Sequence, residues 1–168
     1  AGGIDRATWN QLTTDEDRPL NNRAIQGRYS PGSTFKMAVA LAGLEEGIIT
    51  PEFRTFCPGY ATFYGHTFAC WNKRGHGSMD LRHAIALSCN VYFYNVGIRM
   101  EIERLSRYAK MMGFALPSGI DLPHEASGIF QDPDWKMRTM KVRWFPAETV
   151  SVAIGQAMAV TPVQLARV

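Results

Sequence analysis

Ser33-Thr34-Phe35-Lys36 places a hydroxyl and an amine three residues apart. On a helix that spacing puts both groups on one face, within reach of each other. A serine hydroxyl is a weak nucleophile until a base takes its proton. A lysine can be that base only when neutral, and burial near the positive end of a helix dipole lowers its pKa toward that condition. Pro31-Gly32 reads as a turn into a helix start, and Lys36 is the only charged residue from Phe35 to Leu44. Backbone N–H groups at such a start can also stabilise an oxyanion. Taken alone, the pattern is more often an N-cap serine followed by a solvated lysine. A lone lysine in apolar surroundings is either costly or useful, which favours chemistry.

A second set, Ser88-Cys89-Asn90, has the form S-x-N. Its serine could relay a proton, and its asparagine could hold Lys36 or a substrate amide. The plain alternative is a cap between two helices.

These groups need a scaffold. The apolar run after Ser33, stopped by Gly47, predicts a mostly buried helix with one polar end. Asp80 is a natural N-cap for a helix over Leu81–Leu87. Ser88-Cys89-Asn90 then interrupts, and Val91–Met100 resumes as an apolar helix. Glu101–Met112 is amphipathic through Ile102, Leu105, Tyr108 and Met112, with Gly113 as its stop. Residues 48–79, rich in Gly, Pro and aromatics, predict a long loop region with short strands, and a loop of that length is usually functional or pinned. Residues 1–30 read as irregular, 114–135 as a Pro/Gly-rich connection, and 149–159 as small and apolar. Thr161-Pro162 opens a further helix. The expected class is mainly α with short strands and long loops.

The 168 residues suit one domain or part of one, and 46% hydrophobic with 20% charged residues permits a packed core. A net charge of +3, with acids and bases interspersed, argues against nucleic acid as a partner. No apolar stretch is long enough to cross a bilayer. The start at Ala1-Gly2-Gly3 and the helix opening at Thr161 lead us to expect a piece of a larger protein.

S-x-x-K followed by S-x-N is two thirds of the motif set of serine enzymes that react with β-lactams. The run from Asn22 to Lys36 resembles the active-site segment of class B penicillin-binding proteins. Trp71-Asn72-Lys73-Arg74-Gly75-His76-Gly77, then Ser88 to Tyr94, is most similar to their elongation-type branch. Gly119–Pro123, Ile154-Gly155-Gln156 and Thr161–Gln164 follow the same pattern, so the likeness extends over residues 21–168. It implies the helical part of the α/β penicillin-binding and β-lactamase-like transpeptidase fold. It implies a peptidoglycan D,D-transpeptidase at the periplasmic face of the bacterial inner membrane. Ser33 would be the nucleophile, Lys36 the base, Ser88 the proton relay and Asn90 the organiser. β-Lactams would acylate Ser33. A membrane glycosyltransferase and elongation proteins are the implied partners. No K-[ST]-G occurs, since Lys73-Arg74-Gly75 has the wrong centre and precedes Ser88, so residues 1–168 are expected to be a partial transpeptidase domain without the third-motif strand. A serine β-lactamase, a β-lactam sensor and an inactive scaffold are the alternatives.

Three cysteines and a histidine follow the order Cys57-x12-Cys70-x5-His76-x12-Cys89. The spacing lacks a zinc knuckle, and it also fits one disulfide or three buried thiols with His76 apart. Three thiolates and one imidazole nevertheless make a closed tetrahedral set for structural Zn²⁺. Such a site would pin the loop region and tie it to Ser88 and Asn90 through Cys89. Some elongation-type relatives carry potential ligands (Asp, Cys or His) at the matching positions, so the resemblance implies zinc at Cys57, Cys70, His76 and Cys89, with His66 the alternative imidazole.

Overall fold

A computed structural model describes residues 3–168. Helix α1 (Arg6–Thr14) and the short α2 (Arg23–Gln26) precede a 3₁₀ turn at Gly32–Thr34, which runs into α3 (Phe35–Glu45). Four short strands follow: β1 (Thr55–Cys57), β2 (Tyr60–Phe63), β3 (His66–Ala69) and β4 (Gly77–Met79). Then come α4 (Leu81–Ala86) and the long α5 (Asn90–Met111). Strand β5 (Ile129–Phe130), α6 (Pro133–Met140), α7 (Pro146–Val152), β6 (Met158–Ala159) and α8 (Pro162–Arg167) complete the order. The chain is mainly α, with its strands confined to three two-stranded antiparallel ladders.

Helix α5 is the central post, packed against α3 on one side and α7 on another. Its residues Val91, Tyr92, Phe93, Val96 and Met100 are buried, as are Phe35 and Val39 of α3 and Val150 and Val152 of α7. The Phe35 ring meets Phe114 edge-on, with centroids 5.0 Å apart, so the start of α3 is anchored beside Ser33. The α5–α7 contact depends on Gly97. A Cβ there would lie 2.3 Å from the Ala153 side chain, and real Cβ atoms essentially never approach so closely. The apolar run of α3 is only partly covered, since Met37 and Leu41 stay exposed.

Between α3 and α4 the chain folds into two small ladders. In one, β1 pairs with β4 in the register Thr55↔Met79 to Cys57↔Gly77. In the other, β2 and β3 form a hairpin closed by Tyr64 and Gly65, both at positive φ. That is the two-residue loop whose twist suits a hairpin. Cys57 lies at the end of β1, and Cys70 follows β3, with its N–H bonded to the Gly59 carbonyl.

Two expectations are corrected. Residues 1–30 are not irregular throughout, because α1 forms there with Asp5 accepting from the Thr8 N–H. None of its residues is buried, so no apolar stripe marked it in the sequence. The connection 114–135 contains β5 and the first turn of α6, where Asp132 caps and Pro133 takes the first position.

Candidate active site and metal centre

The 3₁₀ turn leaves Ser33 exposed at the mouth of α3, while Lys36, one turn on, is 3% exposed. No hydrogen bond joins Ser33 to Lys36 directly. The link runs through Ser88. The Ser88 hydroxyl donates to Ser33 Oγ at 3.0 Å, and Lys36 Nζ donates to Ser88 Oγ at 2.9 Å. Lys36 also donates to the Ser88 carbonyl at 2.9 Å and to Asn90 Oδ1 at 2.6 Å. All three ammonium donors therefore have partners, and all three partners are neutral oxygens. Burial disfavours the charged amine, while the nearby Cys70 and Cys89 sulfurs favour it. Burial wins, and Lys36 is pulled down from 10.5 to about 8. Phe93, with its ring centroid 5.7 Å from Nζ, is part of the apolar wall.

The backbone around Ser88 explains its aim. At the end of α4 the Cys89 N–H bonds the Ala84 carbonyl at 2.9 Å, and the Ser88 N–H bonds the Ile85 carbonyl at 3.1 Å. This is a Schellman end, whose left-handed position normally falls to glycine. Here Ser88 occupies it at φ 50. A non-glycine residue in that region costs about 1–2 kcal/mol. What the cost secures is a hydroxyl between Ser33 and Lys36. From Asn90 the chain turns directly into α5, so both polar groups of the S-x-N stand on a fixed helix junction.

Gly155 holds the other side of the Ser33 turn. The Gly32 N–H and the Ser30 hydroxyl both donate to the Gly155 carbonyl, at 3.2 and 2.7 Å. A Cβ on Gly155 would sit 2.0 Å from the Gly32 oxygen, so no other residue fits this approach. The Ile154-Gly155-Gln156 string thus meets the serine turn, a role that spacing alone did not reveal.

Cys57, Cys70, His76 and Cys89 converge. Their four ligand atoms lie within 4.8 Å of one another. His76 Nδ1 is 3.5 Å from the sulfur of Cys57 and 3.5 Å from that of Cys70. A tetrahedral Zn²⁺ with ordinary Zn–S and Zn–N bonds puts sulfur and nitrogen about 3.6 Å apart. All three thiols are buried and none is in a disulfide. Burial pushes the Cys89 thiol up to about 12, an environment in which a thiolate needs a nearby cation. The residues present therefore fit a closed Cys₃His site. His66, exposed on β3, is not part of the cluster. Cys89 separates Ser88 from Asn90, so the cluster and the serine–lysine chain share one stretch of backbone.

Trp71 was part of the resemblance but had no assigned role. It stands 62% exposed beside this junction. Its type and position in sequence carried no chemical signal of their own.

Residues 4–168 match the family described as "Penicillin binding protein transpeptidase domain". The peptidoglycan D,D-transpeptidase MrdA of Acinetobacter baumannii is 42% identical over 167 residues, covering 98% of this chain and 25% of the relative. A solved structure of Pseudomonas aeruginosa penicillin-binding protein 2 with the compound WCK 5153 superposes with a TM-score of 0.92 at 41% identity, covering 98% of this chain and 38% of that one. A Helicobacter pylori penicillin-binding protein 2, solved in complex with MreC, superposes at 0.91 with 39% identity, covering 98% and 31%. The chain thus spans about a quarter of the length of the curated relatives it matches. With the serine–lysine chain, the S-x-N junction and a match that runs through both, the chain belongs to the penicillin-binding protein transpeptidase family.

Proposed function

We propose that the protein carrying this chain is a serine-type peptidoglycan D,D-transpeptidase. The observation that carries the reading is the unbroken path Ser33–Ser88–Lys36, with Asn90 closing it from the far side. In this mechanism Ser33 Oγ attacks the carbonyl carbon of the penultimate D-alanine of a stem peptide. The Ser33 proton passes to Ser88 Oγ, and the Ser88 proton passes to neutral Lys36 Nζ. Both hydroxyls rotate to make the transfer, since the resting bond points from Ser88 to Ser33. Collapse of the tetrahedral adduct breaks the C–N bond, and the leaving nitrogen takes the proton back as terminal D-alanine departs. An amine of a neighbouring stem peptide then attacks the ester, its proton passing to Lys36 and on through Ser88 to Ser33 Oγ, which leaves as the free hydroxyl. A β-lactam would acylate Ser33 by the first half of this sequence.

Zn²⁺ at Cys57, Cys70, His76 and Cys89 would be structural. Four protein ligands leave no open position for water, so the ion would supply folding energy and not Lewis-acid chemistry. The chain's own residues do the rest: they fix Cys89, and with it the directions of Ser88 and Asn90. In this reading the protein works at the periplasmic face of the inner membrane, where a stem-peptide substrate would lie. Its partners would be elongation proteins, as for the relative solved with MreC, and a membrane glycosyltransferase.

The test is a fluorescent penicillin incubated with the intact natural protein. A stable adduct located on Ser33 by mass spectrometry, absent in Ser33→Ala, is the expected result. Rapid hydrolysis of the penicillin would point to a β-lactamase, and absence of any adduct to a scaffold.

A further inference from the structure

We propose that Trp71 is a positioning residue for serine acylation, its indole N–H holding the Ser88 peptide that aims the relay hydroxyl at Ser33. The inference rests on the acyl-transfer reading above. Trp71 Nε1 donates to the Leu87 carbonyl at 3.0 Å and to the Ser88 carbonyl at 3.2 Å. These are carbonyls at the end of α4, which has no further turn to satisfy them. The Ser88 carbonyl has two lone pairs, and both are used: one by Trp71, the other by Lys36 Nζ at 2.9 Å. The 88–89 peptide is thus held between the indole and the catalytic amine.

That peptide needs holding. Ser88 sits at φ 50, where only glycine is at ease, so its own conformational preference pulls away from the observed geometry. The Schellman bonds fix its N–H side, and the indole fixes its carbonyl side. A rotation of the peptide would swing Ser88 Oγ out of line with Ser33 and Lys36 together.

Burial does not account for the residue. A tryptophan left 62% exposed contributes little of the apolar burial for which the side chain is usually retained. Its two other fixed points lie in the thiol–imidazole cluster. Trp71 follows Cys70 directly, and its ring meets the His76 imidazole at 5.1 Å between centroids and 62° between planes. No protein group accepts from the buried His76 Nε2, and the ring contact with Trp71 is the side-chain packing on that face of the imidazole. Asn72 then closes the loop, its side chain donating to the Gly75 carbonyl at 2.7 Å. The same five-residue loop therefore ends in two candidate metal ligands and carries the donor that reaches the relay serine. Trp71 joins the cluster to the active site by its side chain, alongside the backbone link through Cys89.

The experiment compares wild type, Trp71→Phe and a protein with benzothienylalanine at position 71, each as the intact natural chain. Phenylalanine keeps an aromatic ring, and benzothienylalanine keeps the indole shape and replaces only its N–H. Stopped-flow acylation by a fluorescent penicillin separates the apparent dissociation constant from the acylation rate constant. The expected result is a fall of roughly ten- to a hundredfold in the rate constant for both variants, the usual cost of losing an outer-shell partner. The dissociation constant, melting temperature and zinc content should match wild type. An unchanged rate constant for the benzothienyl protein would overturn the inference. So would a loss of rate that merely tracks lost metal or lowered melting temperature, since that describes a structural cap. Absence of any adduct on wild type overturns the acyl-transfer reading itself, and the role of Trp71 falls with it.

Discussion

Lys36 and Lys136 are both buried, at 3% and 8% exposure, and they are buried in opposite ways. Lys136 in α6 reaches the Glu148 carboxylate of α7 and lies over the Phe145 and Trp144 rings. Its charge is answered by a charge, with two aromatic faces in support. Lys36 has no carboxylate within salt-bridge reach, only two serine oxygens and an amide. The first arrangement ties one helix to another. The second leaves an amine that can lose its proton near neutral pH, which a structural lysine has no need to do. The pair teaches that burial of a lysine is not the functional sign. The functional sign is burial without a counter-charge.

Replacing each lysine with methionine breaks the comparison most sharply. Lys36→Met should slow β-lactam acylation by about 10²–10⁴-fold, the range for a lost general base. Its melting temperature should move little, because removing a buried uncompensated amine offsets the loss of three hydrogen bonds. Lys136→Met should do the reverse. It leaves Glu148 without its partner and is expected to cost about 1–3 kcal/mol, discounted because that carboxylate is partly solvated. Its acylation rate should match wild type. Calorimetry and the penicillin-labelling assay on both variants check the crossing. If Lys136→Met lost acylation while remaining folded, the division between the two lysines would be wrong.

Metal removal is the next largest effect. Chelation of the purified protein should release about one zinc per chain and slow acylation by roughly ten- to a hundredfold as Ser88 and Asn90 lose their anchor. Metal analysis before and after dialysis, followed by zinc add-back, checks it. Retention of full acylation by the zinc-free protein would separate the cluster from the active site.

The pH profile sharpens the contrast further. In the proposed mechanism Lys36 acts as the base in its neutral form, and burial lowers it to about 8. Acylation should therefore rise about tenfold per pH unit below 8 and level off above it. Stability carries the same sign. Between about 8 and 10.5 the unfolded chain keeps a proton on this lysine that the native chain has released, so stability should rise with pH across that window. In Lys36→Met both the limb in the residual rate and this contribution to stability should vanish.

Much of this was legible in the residues. The S-x-x-K turn, the Asp80 cap, the break at Ser88 and the change of character near Glu101 all stood in the sequence. The last is a real kink, since Glu101 sits at φ 61 and ψ 162 inside α5. What was not legible was contact between distant segments. Helical spacing suggested that Ser33 and Lys36 touch, yet Ser33 lies on a 3₁₀ turn and reaches Lys36 only through Ser88, 52 residues beyond the lysine. The approach of Gly155 to Gly32 joins residues more than a hundred positions apart, and no local pattern announces it. The reach of Trp71 to the Leu87 and Ser88 carbonyls escaped for the same reason, whereas exposed α1 escaped because it buries no apolar stripe.

The smallest predicted effect isolates what the relay serine costs the fold. Ser88 occupies the left-handed end of α4, where glycine is the ordinary choice. Ser88→Gly should relieve that strain in the native state. Glycine also gives the unfolded chain more freedom, which offsets part of the gain. The balance should be a stabilisation of no more than about 1 kcal/mol, read as a slightly higher midpoint in urea with an unchanged slope. The variant also removes a hydroxyl that accepts from Lys36, and a buried amine left short of an acceptor takes back some of the benefit. Ser88→Ala separates the two contributions, because it loses the same hydroxyl but keeps the strained backbone. Glycine should therefore be more stable than alanine by about 1 kcal/mol, while both lose acylation to a similar degree. If alanine and glycine proved equally stable, the φ of 50 would not be a source of strain, and Ser88 would sit at this junction at no cost to the fold.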